Sequence, residues 1–223
     1  MTSPAEGFVV ERVRGGAGAF HASVPPADGR RHATWFDVDH LALVLGSAQR
    51  GDAMVDLDAC ARHDVEVVHR RSGGGAVLMV PGEMLWLDVV VPRGDVLWHD
   101  DIGRSMWWLG EVWAEALASV GEPTAEVHHG AVEHTPWSGL VCWDGVGAGE
   151  VLVDGRKAVG ISQRRTRDWA RLQSSIHLAW RPELIVELLA EPRPSAADLR
   201  PAHVVAADAD ALVDAVTRAL RRR

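Results

Sequence analysis

The chain has 223 residues, 47% hydrophobic and 24% charged, enough for one domain with a sizeable core. A net charge of −8 argues against general nucleic-acid binding, and no apolar run is long enough to span a bilayer. Two cysteines, Cys60 and Cys142, are too few for a disulfide framework.

The opening residues, MTSPAEGFVVERVRGG, lack the charged start and long apolar core of a secretory leader, so a cytoplasmic location is expected. Residues 1–33 read as a short strand near Phe8–Val13 within a partly mobile arm. Leu41–Leu45 is an apolar strand that ends in Gly46 and, three residues on, Gln49. Residues 52–63 have the pattern of a short helix with Met54, Leu57 and Ala61 facing inward. Cys60 on that helix reads as a small buried hydrophobe.

The next stretch, VEVVHRRSGGGAVLMV, joins two apolar runs through Arg70, Arg71, Ser72 and the glycines Gly73, Gly74 and Gly75. Glycines let backbone N–H groups come close to a ligand, and paired arginines neutralise phosphate or carboxylate through forked hydrogen bonds. Arg70, Arg71 and the backbone donors of Gly74, Gly75, Ala76 and Val77 therefore suit an anionic ligand. The same residues also suit a flexible hairpin turn carrying a solvated arginine pair.

Met84–Val91 is almost continuously apolar, as in a strand buried on both faces. Asp100 or Asp101 then caps a helix to about Val120, with Ile102, Met106, Leu109, Trp113, Leu117 and Val120 on one face. His128, His129, Glu133 and His134 share a loop with no second ligand cluster, so no metal site is expected there.

Asp154-Gly155 marks a hairpin turn between Glu150–Val153 and Arg156–Ser162. Lys157 is the only lysine among 23 basic Lys and Arg residues. Where arginine has replaced nearly every lysine, the survivor is a candidate for a compact point charge that arginine cannot imitate. Strict alternation places Lys157 with Val159 and Ile161, and Ala158 with Gly160 and Ser162. Arg164, Arg165, Arg167 and Arg171 follow; they fit a solvated face, or a basic rim that steers an acidic partner. Two helices, around Glu183–Ala190 and Asp208–Arg222, and a frayed Arg221–Arg223 tail complete a single domain over 1–223.

RRSGGGAV, the Gly-x-x-Gln strand end and DGRKAVGISQRR occur in the order found in the biotin/lipoate protein ligase family, and the chain resembles its lipoate-ligase and octanoyltransferase side. The resemblance covers roughly Ala33 to Trp180. It implies an α/β fold of α+β type: a mixed, largely antiparallel sheet flanked by helices, without the accessory domain of larger ligases. It further implies that lipoate or octanoate lies in a slot, that ATP with Mg activates the acid as an acyl-adenylate, and that a carrier-protein lysine receives the acyl group. Lys157 falls on the family's acyl-contacting lysine. Gln49, Arg70 to Val77, Gly155 and Gly160 fall on its ligand-binding elements.

Family transferases instead draw octanoate from acyl carrier protein onto a cysteine. Cys142-Trp143 resembles the pairing seen in some of them, although a buried strand cysteine fits the sequence equally well. The implied partner is an acidic lipoyl carrier domain, of the 2-oxoacid dehydrogenase E2 or glycine cleavage H protein type. The chain departs from the family where Leu78 to Glu83 replace an aromatic, His-Asp and Gly-Asn pattern, and where Gln173-Ser174-Ser175 replace a His-Gly pair. A non-catalytic relative that binds a lipoyl ligand or carrier remains the alternative to an enzyme.

Overall fold

The computed structural model describes residues 7–49 and 52–223. Along the chain run β1 (Phe8–Gly15), α1 (Ala17–Ala22), β2 (Arg31–Val38), β3 (Ala42–Leu45), α2 (Leu57–Arg62), β4 (Glu66–His69), β5 (Val77–Met79) and β6 (Met84–Pro92). They are followed by α3 (Trp107–Ser119), β7 (Glu126–Val127), β8 (Val151–Val153), β9 (Arg156–Arg165), β10 (Trp169–His177), α4 (Pro182–Glu187) and α5 (Ala209–Leu220). Seven strands form one sheet in the order β1-β2-β6-β10-β9-β8-β7, antiparallel except for the parallel β1–β2 pair. A smaller sheet has the order β4-β3-β5. This is the mixed, mostly antiparallel α+β architecture expected from the sequence.

The continuous apolar run of β6 is explained by two cores. Leu85, Leu87, Val89 and Val91 face α3 and α5, packing with Leu109, Trp113, Leu117 and Val216. Met84 and Trp86 point to the opposite face, where they meet Val44, Val77 and Met79 of the small sheet. A strand enclosed between two layers has no polar side to display. The slot described below lies between the two sheets.

Several local expectations change. Residues 16–30 are not all loop, because α1 provides part of the crossover that a parallel β1–β2 pair requires. Residues 52–63 are broken into a single 3₁₀ turn and α2, which Asp56 caps by accepting from the Ala59 amide at 2.9 Å. That helix buries Ala59 and Cys60 and leaves Leu57 and Ala61 exposed. Asp101 caps a turn at Arg104–Met106 ahead of α3, leaving Ile102 exposed. The C-terminal arginines are not free: Arg222 pairs with Glu115, and Arg223 with Glu111 at 3.2 Å.

β4 and β5 do not form a hairpin. β4 lies parallel to β3 on one side and β5 antiparallel to it on the other, so the glycine segment must cross the end of β3. Ser47 N donates to Ser72 O at 2.9 Å, and Arg70 N to Leu45 O at 2.9 Å, fastening this crossing.

Candidate functional site

The glycine crossing, the Cys142–Asp144 turn and β9 surround two connected spaces. An inner cavity, with about 40 Å³ open to the centre of a water-sized sphere, lies between Val44, Val77 and Met79 above and Trp86, Gly160 and Gln173 below. An outer chamber of about 470 Å³ by the same measure is bounded by Gly73, Gly74, Gly75, Glu150, Lys157 and Gln163. Cys142, Ile161 and Ser162 line both. The cross-strand pairs run Gly160–Ser175–Trp86, so the inner cavity crosses two strand spacings, about 10 Å, from β9 to β6.

Arg70 is buried and spent on the protein itself. Its Nη1 donates to Val44 O at 3.0 Å, and its Nη2 to Gly73 O and Gly75 O, each at 2.8 Å. These bonds shape the glycine crossing, and the side chain also lines the inner cavity. Arg71 is exposed. Arg164 is pushed below the ordinary guanidinium value, first by burial and then by the nearby charges of Arg71 and Arg171. Neither Arg71 nor Arg164 lines the two spaces, and the Arg164 guanidinium stands over the Trp169 ring at 5.3 Å.

The other arginines of that face are committed elsewhere. Arg165 donates to the carbonyls of His99 and Asp100, at 2.6 and 3.0 Å, and Arg171 is buried against Asp88.

Gln49 accepts from Gly46 N at 2.9 Å and donates to Gly139 O and Leu140 O at 3.1 and 3.0 Å. It ties the β3 end to the segment carrying Cys142 and lines neither cavity. Ala76 N donates to Leu140 O at 2.7 Å, and Cys142 N to Ala76 O at 3.0 Å, so the Ala76 amide is unavailable to a ligand. Val77 belongs to β5, paired with Val44. The amides of Gly73, Gly74 and Gly75 donate to no acceptor among the described residues.

Ser72 donates to Gln173 Oε1 at 3.1 Å and accepts from Ser162 at 3.0 Å, while Gln173 Nε2 donates to Asp88 at 3.2 Å. Gly155 is an exposed turn residue with φ 71°, following Asp154 with φ 49°, and lies off the site. Gly160 lies beneath Trp143, whose ring would sit 3.0 Å from any Cβ placed there.

Strict alternation fails at Lys157 because of a bulge. Val151 pairs with Val159 but Leu152 pairs with Lys157, which leaves Ala158 as an extra residue on β9. Lys157 thereby joins the face of Gly160: its Cε lies 3.4 Å from the Cβ position of that glycine. The ammonium is buried, 2.7 Å from Glu150 Oε2, and donates to Cys142 O at 3.0 Å and Gly145 O at 3.1 Å. Glu150 also accepts from Gly147 N at 2.6 Å and from Ile161 N at 3.0 Å. The sequence reading missed Glu150, although a carboxylate diagonal to a lone lysine across a hairpin was a readable signal.

Two further buried groups went unread. His21 stacks on Trp86 at 4.6 Å, and burial together with Arg70 and Arg171 lowers it to about 3. His177 packs edge-on against Trp143 at 4.3 Å and is lowered to about 3 by burial and then by Lys157.

An apolar slot opens into a chamber lined by free backbone donors and a buried lysine, an arrangement suited to a ligand with an apolar tail and an anionic end. The lipoyl protein ligase A/B catalytic domain profile matches residues 26–221, and the chain belongs to that family. No curated protein sequence is significantly similar to it.

Solved structures share the fold. The bipartite lipoate protein ligase of Thermoplasma acidophilum, described with its E2 lipoyl domain, aligns at TM-score 0.72 and 16% identity over 97% of this chain and 83% of its own. Lipoate-protein ligase A bound with ATP gives 0.69 at 16%, over 97% and 84%. Protein Ta0514 of T. acidophilum with bound lipoic acid gives 0.66 at 17%, over 92% and 76%.

Proposed function

We propose that the chain is an acyl-attaching enzyme of the lipoate–protein ligase type, which activates lipoate or octanoate with ATP and passes it to a lysine of an acidic lipoyl carrier domain. The observation that carries this reading is the meeting of Lys157 and the unbonded Gly73, Gly74 and Gly75 amides in one chamber, with an apolar slot leading from it. Lipoic acid and ATP in the related structures, and the E2 lipoyl domain described with one of them, support the same substrates and partner here.

The acyl chain would lie in the inner cavity, with Val77, Met79 and Trp86 excluding water from it. Its carboxyl end would reach Cys142 and Ser162, where the two spaces join. The carboxylate oxygen would attack the α-phosphorus of ATP and pyrophosphate would leave, so that the acyl carbon carries AMP as its leaving group. The glycine amides and Arg71 would offset phosphate charge, and the Lys157 ammonium would offset charge developing on the acyl oxygen. The carrier lysine, as a neutral amine, would then attack the acyl carbon and release the nucleotide. Magnesium would enter on the nucleotide phosphates, since no cluster of three metal-ligating side chains occurs among the described residues.

A second reading is supported by the position of Cys142. Its Sγ lies 3.2 Å from the Cβ position of Gly74, at the junction of slot and chamber. There it can take octanoate from acyl carrier protein as a thioester and release it to the carrier lysine. A non-catalytic lipoyl- or carrier-binding relative is the third possibility.

The intact mass of an apo lipoyl carrier domain, after incubation with the protein, separates the three. A gain only with ATP, magnesium and free acid supports the ligase. A gain only with octanoyl-acyl carrier protein supports the transferase. No gain in either, with a folded protein, leaves the binding role.

A further inference from the structure

The Lys157 ammonium has three N–H donors and three acceptors already in place: Glu150 Oε2, Cys142 O and Gly145 O. Held in this way it has no proton to offer an acyl oxygen or a phosphate. For Lys157 to act, one acceptor must leave, and the three are not equivalent.

Glu150 is anchored. It is buried, and its carboxylate also accepts from the backbone amides of Gly147 and Ile161, the latter beside the bulge that turned Lys157 toward the chamber. Among the described residues it is the only carboxylate paired with the ammonium, so releasing it would strand a buried cation. The carbonyls of Cys142 and Gly145 are neutral and lie on a short turn bordering the chamber, and losing either costs one ordinary hydrogen bond.

We propose that Glu150 is a positioning residue for Lys157. It stays on the ammonium throughout, while a carbonyl of the Cys142–Gly145 turn yields its place to the ligand oxygen. This rests on the acyl-transfer reading for its consequence but not for its test. The titratable or charged groups around Lys157 are Glu150, the Cys142 thiol and the buried Asp144 carboxylate of the facing turn, and His177 from β10, which burial keeps neutral; Asp144 accepts from the Thr135 hydroxyl and the Arg200 amide. The His203 backbone meets only the Lys157 carbonyl, and its ring pairs with Glu122 at 3.1 Å. Among the described residues, Glu150 is thus the one carboxylate paired with the ammonium.

Because Lys157 is the only lysine, protein made with lysine labelled at ¹³Cε gives a single side-chain resonance to follow. In the wild type the Cε group of that lysine is expected to be as ordered as the rigid backbone, because all three N–H donors are held. In Glu150→Gln, which preserves the shape, its NMR order parameter should fall into the flexible range, and Glu150→Asp should recover part of the difference.

Transfer to the carrier domain by Glu150→Gln should fall mainly in kcat, by about 100-fold, with KM for the acid changed less than about threefold. An unchanged lysine order parameter in folded Glu150→Gln would overturn the proposal. So would a loss of transfer spread equally over kcat and KM, which would mean that Glu150 only braces the fold. If the lysine loses order as expected while wild-type protein transfers nothing, the acyl-transfer reading fails and the pairing stands.

Discussion

Gly46 and Gly74 meet where the glycine segment crosses the end of β3: a Cβ on Gly46 would lie 1.8 Å from the Gly74 carbonyl oxygen. The contact is backbone against side chain, with nothing flexible to yield. Gly46→Ala should therefore cost about 3 kcal/mol or more in chemical denaturation, because the crossing must open. Gly73→Ala, with no atom within 4 Å of the new methyl, should leave stability within about 0.5 kcal/mol. Equal losses at the two positions would contradict this packing.

Arg70 and Arg71 are neighbours in sequence with opposite duties. Arg70→Ala strips the glycine crossing of its bonds to Val44, Gly73 and Gly75 and should lower stability by about 3 kcal/mol. Arg71→Ala should leave the thermal midpoint unchanged while weakening ATP binding about tenfold, measured by calorimetry.

Removing Lys157 cannot be neutral for the fold, because it leaves Glu150 buried without its partner. Lys157→Ala is expected to abolish carrier acylation and also to destabilise by about 3 kcal/mol. The double variant Lys157→Met/Glu150→Gln should regain much of the stability and none of the activity. A single variant as stable as wild type would show that Glu150 finds another partner.

His21 and His177 are both held at about 3, against an ordinary value of 6.5. Between those values the unfolded chain binds protons that the folded chain refuses. Stability is therefore full above about pH 6.5 and falls as pH drops toward 3, by about 1.4 kcal/mol per pH unit for each histidine. Denaturation midpoints between pH 7 and 4 check this, and His177→Phe should flatten the slope by about half.

Cys142→Ser separates the two chemistries. A ligase should keep its ATP-dependent transfer within a few-fold, whereas a thioester-forming transferase should lose transfer from octanoyl-acyl carrier protein entirely, read by the mass of the carrier domain.

Local pattern determined a good deal. The apolar run of β6, the three- and four-residue spacing of α3, the Asp154-Gly155 turn and the order of the glycine and lysine motifs all follow from short-range periodicity and turn chemistry. These rules require no knowledge of what lies opposite, so the elements and the family could be read directly.

Which donors and charges remain available was decided only in three dimensions. Arg70 looked like a ligand and is consumed by carbonyls, because the β4-β3-β5 order brings the end of β3 beneath it. Lys157 looked as if it faced with Val159 and instead faces Gly160, because one extra residue in the β9 pairing reverses the alternation. Glu150 drew no notice and holds the lysine. Hydrogen-bond capacity is finite, and the partner that exhausts it is set by strand order and register between residues far apart in sequence.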